Sequence, residues 1–242
     1  MNRHIQKRVG AAALALLLTA GVAGTAFQIW AEASNVPSKT VMHSGVTVLS
    51  NAKAAVDTSN LSEGFIQVKY TGGKNVRIKV QITKSGGTTY TYNLNNTGSY
   101  ETFPLTEGDG SYTVKVFENT SGTKYAQAYS TSVSLKLRNA FLPFLYPNQY
   151  VNYTEKSATV ARGKEIVQNA GATDDLAKVS AIFNWVTSNF SYDYDLAANP
   201  PAGYLPDVDK VLAARKGICF DYAAVMAAML RSQDIPCKLV VG

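Results

Sequence analysis

Between Leu61 and about Arg138 apolar and polar residues alternate in short runs separated by turn residues. Phe65-Ile66-Gln67-Val68-Lys69-Tyr70 ends at Gly72-Gly73, and Val76, Ile78, Val80 and Ile82 then alternate with Arg77, Lys79 and Gln81. A period of two over such lengths is the pattern of a half-buried strand. Further strands are predicted at Thr88-Thr89-Tyr90-Thr91-Tyr92, at Tyr112-Thr113-Val114-Lys115-Val116, and within Lys124 to Leu137. Gly86-Gly87 and Gly108-Asp109-Gly110 punctuate them. Several short strands with turn signals between them predict an antiparallel β-sandwich of immunoglobulin-like size over residues 61–138. Its tyrosines, among them Tyr90, Tyr100 and Tyr112, are expected at strand positions that favour aromatic residues, with a carbohydrate- or peptide-binding face as the alternative, and the sandwich is read as a spacer or docking module.

After an aromatic, proline-bearing connector over 139–156, expected to pack against one or both domains, the period changes to that of a helix. Ser157 is placed to cap a helix through Asn169 that stops at Gly171, and Thr173 to cap the next, with Asp174 and Asp175 in its first turn. Leu176, Val179, Ile182, Phe183, Val186 and Phe190 then form one apolar stripe, with Trp185 beside it as a core residue. Asp193 to Pro206 reads as a loop and Val208 to Ala214 as a short helix. The run from Ala223 to Leu230 is wholly apolar and predicts a buried helix. Leu239-Val240-Val241 reads as the start of a core strand with no partner strands behind it, so the chain is expected to be the N-terminal part of a longer protein.

The two ends of the fold frame its setting. Arg3, Lys7 and Arg8 precede an apolar run from Val9 to Phe27, and Ala31-Glu32-Ala33 carries small residues at both positions a signal peptidase reads. Residues 1–33 are therefore expected to be a signal peptide, and the protein to be secreted or held at the cell surface. The alternative is an uncleaved membrane anchor. Residues 34–60 read as a polar tether with a short strand at Val46-Thr47-Val48-Leu49. Without residues 1–33, which hold Arg3, Lys7, Arg8 and Glu32, the formal charge falls from +6 to +4. A balance so small and dispersed argues against nucleic acid and suits a neighbouring cell-wall polymer. No cofactor and no metal are expected.

The candidate chemistry lies in Lys216-Gly217-Ile218-Cys219-Phe220-Asp221-Tyr222-Ala223. Glycine permits a sharp turn, and the cysteine falls in the first turn of the buried helix, where unpaired N–H groups and the helix dipole favour an anion. Such placement favours a thiolate nucleophile. The second cysteine, Cys237, follows the helix. Export permits a disulfide between the two, but the intervening helix opposes their approach, and two free thiols are expected.

These residues resemble the transglutaminase-like superfamily of papain-related cysteine enzymes. The resemblance covers 157–242 and rests on Thr173-Asp174-Asp175, Phe190-Ser191-Tyr192-Asp193, the Lys216–Ala223 block, Leu230-Arg231-Ser232, Ile235-Pro236 and Leu239-Val240-Val241-Gly242. It implies an α+β fold overall: an N-terminal sandwich followed by the helical part of an incomplete papain-like domain. It further implies that Cys219 is the catalytic nucleophile, acting on a glutamine side-chain amide or a peptide-like carbonyl of a protein or cell-wall peptide. A thioester would form, to be resolved by an amine or water. Asp221 and Tyr222 match the motif in supporting positions. The histidine and its Asp or Asn partner, which the resemblance implies beyond the cysteine, are absent. The only histidines are His4 and His43, and neither stands at the matching position. The chain is thus expected to be inactive by itself. The competing expectation is a non-catalytic cell-surface binding or scaffold protein.

Overall fold

The computed structural model describes residues 44–240. The expected signal segment, His4 and His43 lie outside the described residues, as do Val241 and Gly242. Among the described residues no helix is long and apolar enough to cross a membrane.

Among the described residues eight strands make the N-terminal part: β1 (Val48–Ser50), β2 (Ala54–Asp57), β3 (Phe65–Tyr70), β4 (Ile78–Lys84), β5 (Thr89–Leu94), β6 (Glu101–Pro104), β7 (Gly110–Ser121) and β8 (Lys124–Leu135). They form two four-stranded antiparallel sheets, ordered β1-β2-β3-β6 and β5-β4-β7-β8. The inward residues of the alternating pattern meet between the sheets: Ile66, Val68, Tyr70 and Phe103 from one, Ile78, Val80, Ile82, Val114 and Val116 from the other. Removing these side chains from water is the main force holding the sandwich together.

The tether expectation for 34–60 needs correction. β1 and β2 lie within it, and all four residues of β2 are buried. Strand β3 has two edges, and without β2 one of them would be left open beside the core. The polar Asp57 in β2 is buried because it ties off the adjoining turns: its carboxylate accepts the N–H groups of Gly45 at 3.0 Å and Ser59 at 2.9 Å.

One polar cluster closes an end of the sandwich. Glu118 on β7 is buried and accepts from the Tyr70 hydroxyl at 2.7 Å and from Lys53 and Lys74, each at 3.0 Å. Burial alone would raise its carboxyl; the hydrogen bonds from Tyr70, Lys74 and Lys53 outweigh burial and bring it from 4.5 down to about 2.

The second part is helical: α1 (Ala158–Asn169), α2 (Asp175–Asn189), α3 (Tyr194–Ala198), α4 (Val208–Ala214) and α5 (Cys219–Arg231), with a two-stranded parallel pair, β9 (Ser191–Tyr192) and β10 (Lys216–Gly217). Helix α5 is the central one, and α1, α2 and α4 pack around it. Its Ala224, Ala227 and Ala228 are fully buried and let neighbours approach closely. At Gly163 on α1 a Cβ would stand 3.0 Å from the Met229 Cβ, so glycine is what permits this helix crossing.

Two caps differ from expectation. Asp174, not Thr173, caps α2, accepting the Ala177 N–H at 2.8 Å. Ser157 stands at the α1 N-cap but makes no capping bond; Asp209 of α4 accepts the Thr159 N–H at 2.9 Å instead. The expected apolar stripe on α2 also splits. Ile182 and Val186 are fully buried, whereas Leu176 is 76% exposed and Phe183 50%, because those two, seven residues apart, share a side turned away from α5. Trp185 packs at the rim of the core, between the guanidinium groups of Arg162 and Arg215 at 5.6 Å and 5.1 Å.

The connector packs on both parts, as its composition predicted. Tyr146 packs at a tilt on Phe65, ring centroids 4.8 Å apart, and its hydroxyl donates to Glu63 at 2.5 Å. Its carbonyl accepts from Arg231 at 2.7 Å. The buried Arg231 also donates twice to the Cys237 carbonyl. No strand follows among the described residues: the Cys237 N–H reaches the Phe144 carbonyl at 2.9 Å, and Val240 is 84% exposed.

Candidate functional site

Everything around Cys219 serves to fix where α5 begins. The parallel pair sets the approach: the Ser191 N–H donates to the Arg215 carbonyl and the Asp193 N–H to the Gly217 carbonyl, both at 2.9 Å. Arg215 adopts a left-handed conformation (φ 49°) at the end of α4, which turns the chain into this pair. Its guanidinium is held by Asn189 at 3.0 Å.

Asp221 then locks the helix start. It is fully buried, and one carboxylate oxygen accepts the Ile218 N–H at 2.8 Å while the other accepts the Tyr204 hydroxyl at 2.7 Å. An acidic residue at the third helical position that reaches back to the cap N–H satisfies one of the orphan donors at a helix start. The reach requires Gly217: a Cβ there would stand 2.6 Å from the Asp221 Cβ and 2.8 Å from its Oδ2. The glycine and the aspartate of the motif are therefore a matched pair. Burial, with the Asp221 carboxylate beside it, pushes the Tyr204 phenol up, so it stays a donor across the ordinary pH range.

Cys219 is the first residue of α5, exposed and free; Cys237 is partly buried and free, as expected. Burial pushes the Cys237 thiol up, against a smaller opposing effect of Arg231. The Cys219 side chain stands at the N-terminal end of this thirteen-residue helix, where it is open to solvent.

Aromatic residues flank this point. Tyr222 lies one turn on, on the face Cys219 shares, and meets Phe190 at 5.4 Å and Tyr192 at 6.5 Å; Tyr192 meets Tyr194 at 5.1 Å. Tyr192 and Tyr194 are exposed, and the pair gives the site an open aromatic wall. On the other side Phe220 meets Tyr150 edge-on at 5.9 Å, and Tyr150 meets Tyr92 of the sandwich at 5.5 Å. The residue after Cys219 is thus anchored through the connector to β5.

Lys216 and Asp193 pair at 3.1 Å beside the site. The Leu196 N–H and then Lys216 hold the Asp193 carboxyl below its usual range. Residues 193–206, expected as a loop, contain a short helix: Asp193 caps α3, and Tyr204 supplies the Asp221 partner. Tyr204 carried no local signal, since the contact spans seventeen residues. The described residues contain no histidine, and no group of three or more His, Cys, Asp or Glu among them is placed to hold a metal ion.

Among solved structures, the chain is similar to a fibronectin type III domain of human collagen alpha-1(XX), at 19% identity over 40% of this chain and 92% of that one, with a TM-score of 0.30. It is also similar to a computer-based redesign of a β-sandwich protein, at 13% identity over 38% of this chain and 87% of that one, TM-score 0.28. A third similarity is to a β-1,2-glucanase from Parabacteroides distasonis, at 10% identity, 71% of this chain and 31% of that one, TM-score 0.26. No curated protein matches the sequence. Residues 162–242, which hold Cys219 and the elements that position it, match the model of the transglutaminase-like superfamily.

Proposed function

We propose that this protein is an exported, transglutaminase-like cysteine enzyme that transfers or hydrolyses acyl groups of protein or cell-wall peptides, with Cys219 as nucleophile. The observation that carries the reading is the placement of Cys219: an exposed thiol opening α5, its position fixed by Asp221, within the stretch that matches the transglutaminase-like superfamily. In the proposed step Sγ attacks the amide carbonyl carbon, and the C–N bond breaks. The amine leaves with a proton, and the resulting thioester passes its acyl group to an amine or to water. The backbone N–H of Cys219 is suited to stabilise the oxyanion, and the exposed Tyr192–Tyr194 wall to receive an extended acyl donor.

Proton transfer needs a base, and the described residues hold no histidine. We therefore expect the chain by itself to give no turnover on amides. An activated ester such as p-nitrophenyl acetate needs no such help, because its leaving group departs without a proton. Full-length protein treated with it is expected to release one burst of nitrophenolate and to carry the acetyl group on Cys219, with no burst from Cys219→Ala. Acetylation of Cys237 in preference to Cys219 would rule the reading out. The lack of a histidine among the described residues favours a second reading, a non-catalytic surface protein, for which no burst is expected.

A further inference from the structure

Strand alternation turns Ile66, Val68 and Tyr70 into the sandwich core and Gln67 to the opposite face, under the connector. There Gln67 is only 6% exposed. Its Nε2 donates to the Thr102 hydroxyl on β6 at 3.2 Å, while its Oε1 is buried without a hydrogen-bond partner. Turning the amide over lets Oε1 accept from Thr102 but leaves Nε2 over instead, so one polar atom stays unmatched either way. Leaving such a group unpaired costs about 1–3 kcal/mol, a standing penalty that a small turn of the side chain toward a bound hydrogen-bonding group would remove.

Gln67 lines a cleft of about 440 Å³ between the sandwich and the helical part. Small-molecule sites typically run from about 300 to 1,000 Å³ with a few convergent polar groups. Here those groups are Gln67, Thr102 and the exposed Asn152, with the Tyr100 ring on one wall and Leu205 and Pro206 on the other. Lys69 lies over the Tyr100 ring at 4.6 Å. The charge balance narrows the ligand class. No lysine or arginine lines the cleft, and its carboxylate, Glu101, is taken up by Asn95 and Gln149. A charged ligand would lose its hydration and meet at most the Lys69 ammonium, which already lies against the Tyr100 ring. An apolar one would leave Gln67 unpaired. A hydroxyl both donates and accepts, and so completes the Gln67 amide in either orientation.

We propose that this cleft binds a neutral saccharide, with a sugar hydroxyl on the Gln67 amide and a ring against Tyr100. The site is independent of Cys219. Titrating the ¹⁵N-labelled full chain with cellobiose, maltose and diacetylchitobiose, with a blocked neutral peptide as control, tests it by NMR. The expected result is saturable shifts at Thr102, Asn152 and Leu205 with at least one disaccharide and none with the peptide. Gln67→Leu removes the unmatched amide while keeping its bulk, so it is expected to leave the thermal midpoint unchanged or higher and to weaken saccharide binding about tenfold or more. Asn152→Ala, at an exposed position, is expected to weaken binding as well, and serves if Gln67→Leu does not fold. No saturable shift with any of the three sugars overturns the proposal, leaving Gln67 to a bound water. Shifts with the peptide alone, or saccharide binding unchanged in both variants, overturn it equally.

Discussion

The Asp221 carboxylate accepts the Ile218 N–H at 2.8 Å, one residue before Cys219, and its other oxygen accepts the Tyr204 hydroxyl at 2.7 Å. A buried carboxylate shared between a helix start and a distant loop makes the position of the cysteine depend on residues that never touch it.

Tyr204→Phe deletes one hydrogen bond and leaves a buried carboxylate oxygen unpaired, which costs about 1–3 kcal/mol. Urea unfolding is expected to show a lower midpoint at an unchanged slope. If Tyr204 matters only through Asp221, the Tyr204→Phe, Asp221→Asn double variant should be markedly less destabilised than the sum of the single changes.

Gly217→Ala places a Cβ 2.6 Å from the Asp221 Cβ, where no flexible side-chain end is available to move. Relief requires shifting the start of α5, at about 1–3 kcal/mol as for other overpacked sites. The same backbone shift moves Cys219, so acetylation by p-nitrophenyl acetate is expected to slow together with the loss of stability. A variant with full stability and full acetylation would contradict the pairing of Gly217 with Asp221.

Glu118 gives the sandwich a defined acid sensitivity. Its carboxyl is lowered from 4.5 to about 2 in the fold, so the folded state favours the ionised form more than the unfolded chain does. That contribution is complete above about pH 4.5 and is lost as the pH falls toward 2. Thermal midpoints measured across this range are expected to fall steeply for the parent. The fall should be shallower for Glu118→Gln, which begins less stable at neutral pH because the charges of Lys53 and Lys74 lose their partner.

Arg231 is buried and donates to the Tyr146 and Cys237 carbonyls, joining the end of α5 to the connector and to the segment after it. Arg231→Lys keeps a charge but lacks the planar fork that reaches both carbonyls. It is expected to destabilise by about 1–3 kcal/mol. Hydrogen exchange should show the loss at the Cys237 amide, which pairs with Phe144.

Much of this architecture was legible where a periodic signal was long. β4, β7, α1, α4 and the start of α5 at Cys219 all follow from the apolar pattern and the turn residues between runs. Short elements were not: β2 and β6 are four residues each, and their strand character comes from pairing with β3. The α2 stripe counted Leu176 and Phe183 as inward because periodicity gives a face but not how wide a face the neighbours cover. At the site, the sequence pointed to Cys219 and to Asp221 in a supporting position. It did not reveal the bonds from Tyr204 or from Asp209 to Thr159, since contacts between distant segments leave no local trace.

The central claim is that the fold presents Cys219 as a nucleophile, and its alkylation rate tests this most directly. Iodoacetamide labelling of the native full chain, resolved by mass spectrometry and compared with the same chain in urea, separates the two thiols. The account predicts that native Cys219 reacts faster than it does in the unfolded chain, while Cys237 reacts more slowly. Native Cys219 reacting no faster than in urea would contradict it.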